Sequence, residues 1–194
     1  MKLNKIIFAF LFVLAGVISA QQQGDYSKEP GYYDFGNLTS LKEGELTTEV
    51  YLEEPLLKMV ANLAESKKEE LGNALGGLKL VRVNEFKIPK NELANMESTI
   101  ESMDNNLQSK SWDRIIKTNS KGNYTNVYIK KGTNDEFVGL TIVSLDKSFK
   151  TGENSEDSGK VTFVNIVGKI DLGTIGKLSE QLHVPGLDKA KKEK

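Results

Sequence analysis

Residues 160–187 read KVTFVNIVGKIDLGTIGKLSEQLHVPGL, and the reading of this stretch decides the fold. Its first half is the most apolar run after residue 20. Side chains alternate between the two faces of a strand. One face would carry Val161, Phe163, Asn165 and Val167. The other would carry Thr162, Val164, Ile166 and Ile170, with Gly168 between. Both faces are largely apolar, so the pattern predicts an interior strand. Asp171 stands where a helix N-cap belongs, its carboxylate able to accept from free backbone N–H groups. Leu172, Ile175, Leu178 and Leu182 follow at helical spacing, and Pro185 and Gly186 stop the helix. Gly173 and Gly176 weaken it by about 1 kcal/mol each relative to alanine and allow a close approach to the strand.

Upstream of this stretch, short periods alternate with turn residues. Asp113–Thr118, Tyr124–Lys131 and Phe137–Leu145 read as three strands, joined at Lys121-Gly122-Asn123 and Gly132-Thr133-Asn134. With the Lys160 strand they predict an antiparallel meander. The third strand is apolar on both faces: Phe137, Thr141, Val143 and Leu145 against Val138, Leu140 and Ile142. Lys147–Gly159 is polar and reads as a hairpin loop. Further back, Leu93, Met96, Ile100, Met103 and Leu107 recur at three- and four-residue steps, which predicts a long amphipathic helix over Asn91–Gln108. Its methionines read as core filler rather than as a binding surface.

Residues 48–83, TEVYLEEPLLKMVANLAESKKEELGNALGGLKLVRV, open with a strand over Thr48–Glu53. Pro55 suits the first turn of a helix. Leu56, Met59, Val60 and Leu63 share one of its faces. Ser66 and Glu69 form a capping box for a second helix with Leu71, Ala74 and Leu75 on its apolar face, ended by Gly76-Gly77. Leu78–Ile88 is a further strand, closed by Pro89. The sum is a single α+β domain: a mainly antiparallel sheet of about six strands with helices packed mainly on one face.

At the N-terminus, Lys2 and Lys5 precede an apolar run from Ile6 to Val17 and the pair Ser19-Ala20, the pattern of a cleavable signal peptide over residues 1–20. The run is short for a membrane span. The expectation is an exported chain, periplasmic or extracellular, with no transmembrane segment in its mature part. Residues 21–36 read as a flexible leader, 37–187 as the domain and 188–194 as a charged tail. Tyr32, Tyr33 and Phe35 crowd the leader and are expected to fold back over the core edge. The formal net charge of −1 becomes −3 once Lys2 and Lys5 leave, which argues against nucleic acid as a partner. The chain has no cysteine, so a packed core rather than disulfides must supply stability. About 174 residues suffice for that, burying about 70% of the chain surface.

Four segments resemble a known family: TEVYLEEPLLKMV from Thr48, GLKLVRVNEF from Gly77, SWDRIIK from Ser111 and FVNIVGKIDLGTIGKLSEQLHVPGLDK from Phe163. They are similar to the signature segments of a secreted bacterial family known only as domain of unknown function 4252. The resemblance runs over about residues 34–189. It implies an exported or envelope location in a Gram-negative cell and brings no catalytic residues with it. Some similar members carry a lipid-anchoring cysteine; this chain has none.

Candidate chemistry is sparse. The one histidine, His183, falls near the end of the last helix, where its charge suits a C-terminus. With no second histidine and no cysteine, the usual zinc sites are excluded. Glu53 and Glu54 adjoin a helix start, where carboxylates stabilise the helix dipole more often than they act as an acid–base pair. Glu153, Glu156 and Asp157 lack the ordered spacing of a calcium loop. Asn165 is the polar residue on an apolar strand face, and a buried amide needs partners. No catalytic, cofactor or metal residues are therefore expected. Three functions remain open: a non-catalytic module binding an envelope protein or lipid, a carrier of an apolar small molecule held on the second sheet face, and a hydrolase working through carboxylates alone.

Overall fold

Each strand sends alternate side chains to opposite faces, and in this chain both sets are apolar at the centre of the sheet. The computed structural model describes residues 24–36, 44–65, 69–120, 123–147 and 158–171. The element order is β1 (Glu45–Glu53), α1 (Glu54–Glu65), α2 (Glu69–Gly76), β2 (Leu78–Pro89), a 3-10 turn (Lys90–Glu92), α3 (Leu93–Ser109), β3 (Asp113–Ser120), β4 (Asn123–Lys131), β5 (Phe137–Asp146) and β6 (Ser158–Ile170). The strands form one six-stranded sheet in the order β1-β2-β6-β5-β4-β3. Every neighbouring pair is antiparallel. The strand at the heart of the sequence analysis, β6, is central, as its two apolar faces require. The meander β3-β4-β5-β6 forms as the turn residues predict. The helix expected after Asp171 lies outside the described residues, as do residues 1–20, the 148–157 loop and the tail.

One face of the sheet meets α3. Met96, Ile100 and Leu107 pack with Phe86, Ile88, Tyr128, Val143, Leu145, Val161 and Phe163, and Leu93 and Met103 flank them. The five residues whose spacing predicts the helix are therefore the five that meet the sheet. A Schellman motif ends α3: Trp112 N–H donates to the Leu107 carbonyl (3.1 Å) and Ser111 N–H to that of Gln108 (3.0 Å). Ser111 takes the left-handed conformation this needs, with φ 58°, and Trp112 and Leu107 join the same core.

The other face meets α1 and α2. Leu57 packs with Leu78, Val81, Val127, Ile129, Leu140, Ile142, Val164, Ile166 and Ile170, and Leu75 lies against them. This corrects the expectation that the helices gather mainly on one face: α3 lies on one side, α1 and α2 on the other. The reason is connectivity. Glu53 and Leu80 are register partners, so the α1–α2 insertion leaves and re-enters the sheet at one end. With the first face taken by α3, it folds over the second.

Two further corrections concern which side chains point inward. On α1 the expected face of Leu56, Met59, Val60 and Leu63 is not the buried one. Leu57 and Ala61 turn inward, each 2% exposed, while Met59, Val60 and Leu63 are 40–57% exposed. On β5, Phe137 packs with Leu140 and Ile142, not with Val143 and Leu145. A register shift between Phe137 and Gly139 interrupts the alternation and moves Phe137 to the other face.

Candidate functional site

Asn165 lies on β6, a buried polar residue between Phe163 and Val167 on the α3-side face. It is fully buried, so each of its groups needs a partner. Its Oδ1 accepts from Tyr33 N–H at 3.1 Å. Its Nδ2 donates to the carbonyls of Gly31 (3.1 Å) and Leu140 (3.3 Å) and to Thr141 Oγ1 (3.2 Å). The amide thus ties two strands to residues 24–36, which cross the sheet as a strap.

The crossing is close because both chains are glycine there. A Cβ on Gly31 would lie 1.8 Å from the Val138 carbonyl oxygen. One on Gly139 would lie 2.6 Å from Gly31 Cα and 2.7 Å from the Trp112 ring. Beyond the crossing, Tyr33 and Phe35 enter the core. Tyr33 meets Phe35 edge-on at 5.2 Å between centroids and Trp112 at 6.1 Å, and Phe35 lies 5.2 Å from Phe163. Two of the crowded aromatics therefore fold back as expected. The folded body consequently begins before residue 37, the expected domain start, because Tyr33 and Phe35 are part of its core.

The first part of the strap stands over β1 and β2 and is pinned there. Gly24 N–H donates to Glu53 Oε1 at 2.8 Å. Lys79 Nζ meets Glu29 at 2.8 Å. Between strap and sheet lies a recess of about 340 Å³, lined by Tyr26, Tyr32, Tyr51, Arg82, Glu49 and Asp25, among others. Arg82 is part of this lining. Its Nε donates to Asn84 Oδ1 (2.9 Å), and its guanidinium lies 6.0 Å from the centre of the Phe35 ring. Its two terminal nitrogens have no hydrogen-bond partner among the described residues. Asn84 Nδ2 in turn donates to Glu49 Oε1 at 3.3 Å. The guanidinium is thus oriented from below and left with its paired donors open.

Two ionisation states in the recess follow from contacts. The hydroxyl and the N–H of Ser27 both donate to Asp25 Oδ1 (2.6 and 3.1 Å) and hold that carboxyl below its ordinary value, so it is an acceptor. Burial pushes the Tyr26 phenol up; the backbone N–H of Glu54 opposes this and the charges of Glu53, Glu54 and Glu29 reinforce it. Tyr26 therefore keeps its proton.

The structure disperses the residues singled out for chemistry. Glu53 accepts from the strap, and Glu54 pairs with Lys58 at 2.6 Å one helical turn on. His183, Glu153, Glu156 and Asp157 lie outside the described residues. Among the described residues no group of three or more metal-ligating side chains gathers, and no helix is long and apolar enough to cross a membrane. Asn165 alone takes a central place. Of the recess residues the sequence points to Tyr32, as one of the crowded aromatics, but not to Arg82, Glu49, Tyr51 or Asp25, although one signal is present. Leu80, Arg82, Asn84 and Phe86 share a strand face, and a charge between buried apolar residues asks for a purpose.

Fold and strap together define an α+β protein built on an open, wholly antiparallel six-stranded sheet. Residues 41–178 match the family described as Domain of unknown function (DUF4252), and the chain belongs to that family. Neither a curated protein nor a solved structure matches it.

Proposed function

We propose that the chain is an exported, non-catalytic binding module of the bacterial envelope, and that it holds its ligand in the recess between the strap and the β1–β2 edge. The observation that carries this reading is Arg82: a guanidinium oriented by Asn84 and Phe35, its outer nitrogens without a partner among the described residues, in a recess lined also by three tyrosines. Convergent polar groups in a concave site with aromatic walls are the usual make-up of a binding pocket. Export is supported by the pattern of residues 1–20. A role without catalysis is supported by the carboxylates. Glu53 and Glu54 are engaged within the chain, and Asp25 is held ionised rather than kept as an acid.

The test is capture from a membrane and periplasmic extract of the native host, comparing the purified protein with Arg82→Ala. A component retained by the native chain and lost by the variant supports the reading. Equal retention by both moves the site elsewhere on the molecule. Chemical turnover of the retained component would overturn the non-catalytic role.

A further inference from the structure

We infer that the recess takes a neutral saccharide, a refinement that rests on the binding role proposed above. The lining offers three kinds of group. Tyr26, Tyr32 and Tyr51 contribute aromatic side chains. Arg82 contributes paired donors that have no partner among the described residues. Asp25 and Glu49 contribute acceptors; among the described residues, Glu49 accepts from Asn84 through Oε1 alone.

Charge narrows the ligand. An anion drawn to Arg82 would stand among two carboxylates, and a cation drawn to the carboxylates would stand over the guanidinium. An apolar ligand would cut Arg82 off from water without replacing its hydrogen bonds, which is costly for a charged group. A sugar ring satisfies the whole lining. Its hydroxyls accept from the guanidinium and donate to the carboxylates, and its C–H face lies on a tyrosine ring. The volume of about 340 Å³ is at the small end for ligand sites, which suits one or two sugar units rather than a larger body. Arg82 and Asn84 are held by each other and by Phe35 before anything binds, so little ordering is needed on binding.

Titration calorimetry with a panel of soluble neutral oligosaccharides tests this, with uronic acids, inorganic phosphate and hexanoate as comparators. Saturable binding of a neutral sugar is expected, weakened about tenfold or more by Arg82→Ala and by Tyr32→Ala. Lys117→Ala, on the far edge strand, should leave it unchanged. Circular dichroism and melting of each variant separate lost binding from lost fold. No binding by any neutral sugar overturns the inference, as does sugar binding that survives both recess variants. Envelope capture that Arg82→Ala abolishes, with no neutral sugar bound, would remove the saccharide and leave the binding role standing.

Discussion

α3 and the strap cover neighbouring parts of one sheet face by opposite means. α3 uses apolar contact, which is non-directional and spread over many residues: Met96, Ile100 and Leu107 against Val143, Leu145, Val161 and Phe163. The strap uses one amide and two glycines. Asn165 supplies four hydrogen bonds, and Gly31 and Gly139 supply the closeness. The helical half is sealed. The strapped half has a recess with a charged lining. The difference teaches that one end of this sheet face is closed by apolar packing and the other is left concave and polar, the end proposed above to bind, and that the border runs through Asn165.

Substitutions at each end should behave differently. Leu107→Ala, at the sealed end, should have the largest effect, a loss of about 3–4 kcal/mol in denaturant unfolding, since Leu107 is fully buried. A loss below about 1 kcal/mol would mean that α3 is not docked as described. Asn165→Leu should cost about 2–3 kcal/mol, because it leaves buried backbone groups of Tyr33 and Gly31 without partners. Its fall should include release of the strap, read as faster proteolysis between residues 24 and 36 than in the Leu107 variant.

A smaller effect lies at the hinge between α3 and the meander. Asp104 Oδ1 accepts from Tyr128 Oη (2.7 Å) and Gln108 Nε2 (2.9 Å), and Asp104 Oδ2 meets Arg114 at 2.5 Å. Burial works to raise this carboxyl, but the three donors outweigh it and hold it below its ordinary value of 3.8. The same burial and the bond to Asp104 push the Tyr128 phenol up. A carboxylate with a lowered folded-state pKa stabilises above its unfolded value, and that contribution is lost as pH falls through the folded one. Stability should therefore decline from about pH 4 downward. Asp104→Asn should remove that part of the decline at a cost of about 1 kcal/mol at neutral pH, the site being partly solvated. Unfolding curves collected across acid pH check both. The smallest effect expected is a gain: Ser111→Gly relieves the left-handed backbone of the α3 cap and should stabilise by about 0.5 kcal/mol, read as a higher melting temperature.

The sealed end was legible in the sequence. The period of α3 names its five inward residues, and the double apolar alternation of 161–170 places β6 in the interior. Asn165 was legible as an exception on that face, though not its partners. What escaped depends on contacts between distant residues. The strap crossing needs Gly31 and Gly139 together, and neither glycine announces the other. α1 is apolar over most of its circumference, so its period leaves the inward face open, and Ala61 decides it by size. Phe137 changes face at an irregular pairing that alternation cannot foresee. Arg82 was visible as a charge on a buried face, but the rings around it come from the strap and β1.

Native-state hydrogen exchange at the Tyr33 amide tests the central claim most directly. If the strap is clamped by Asn165, this amide exchanges about as slowly as those of β6 in the native chain. It should lose that protection in Asn165→Leu while the α3 amides keep theirs. Exchange at the rate of an open chain in the native protein would contradict the clamp, and with it the recess that the strap encloses.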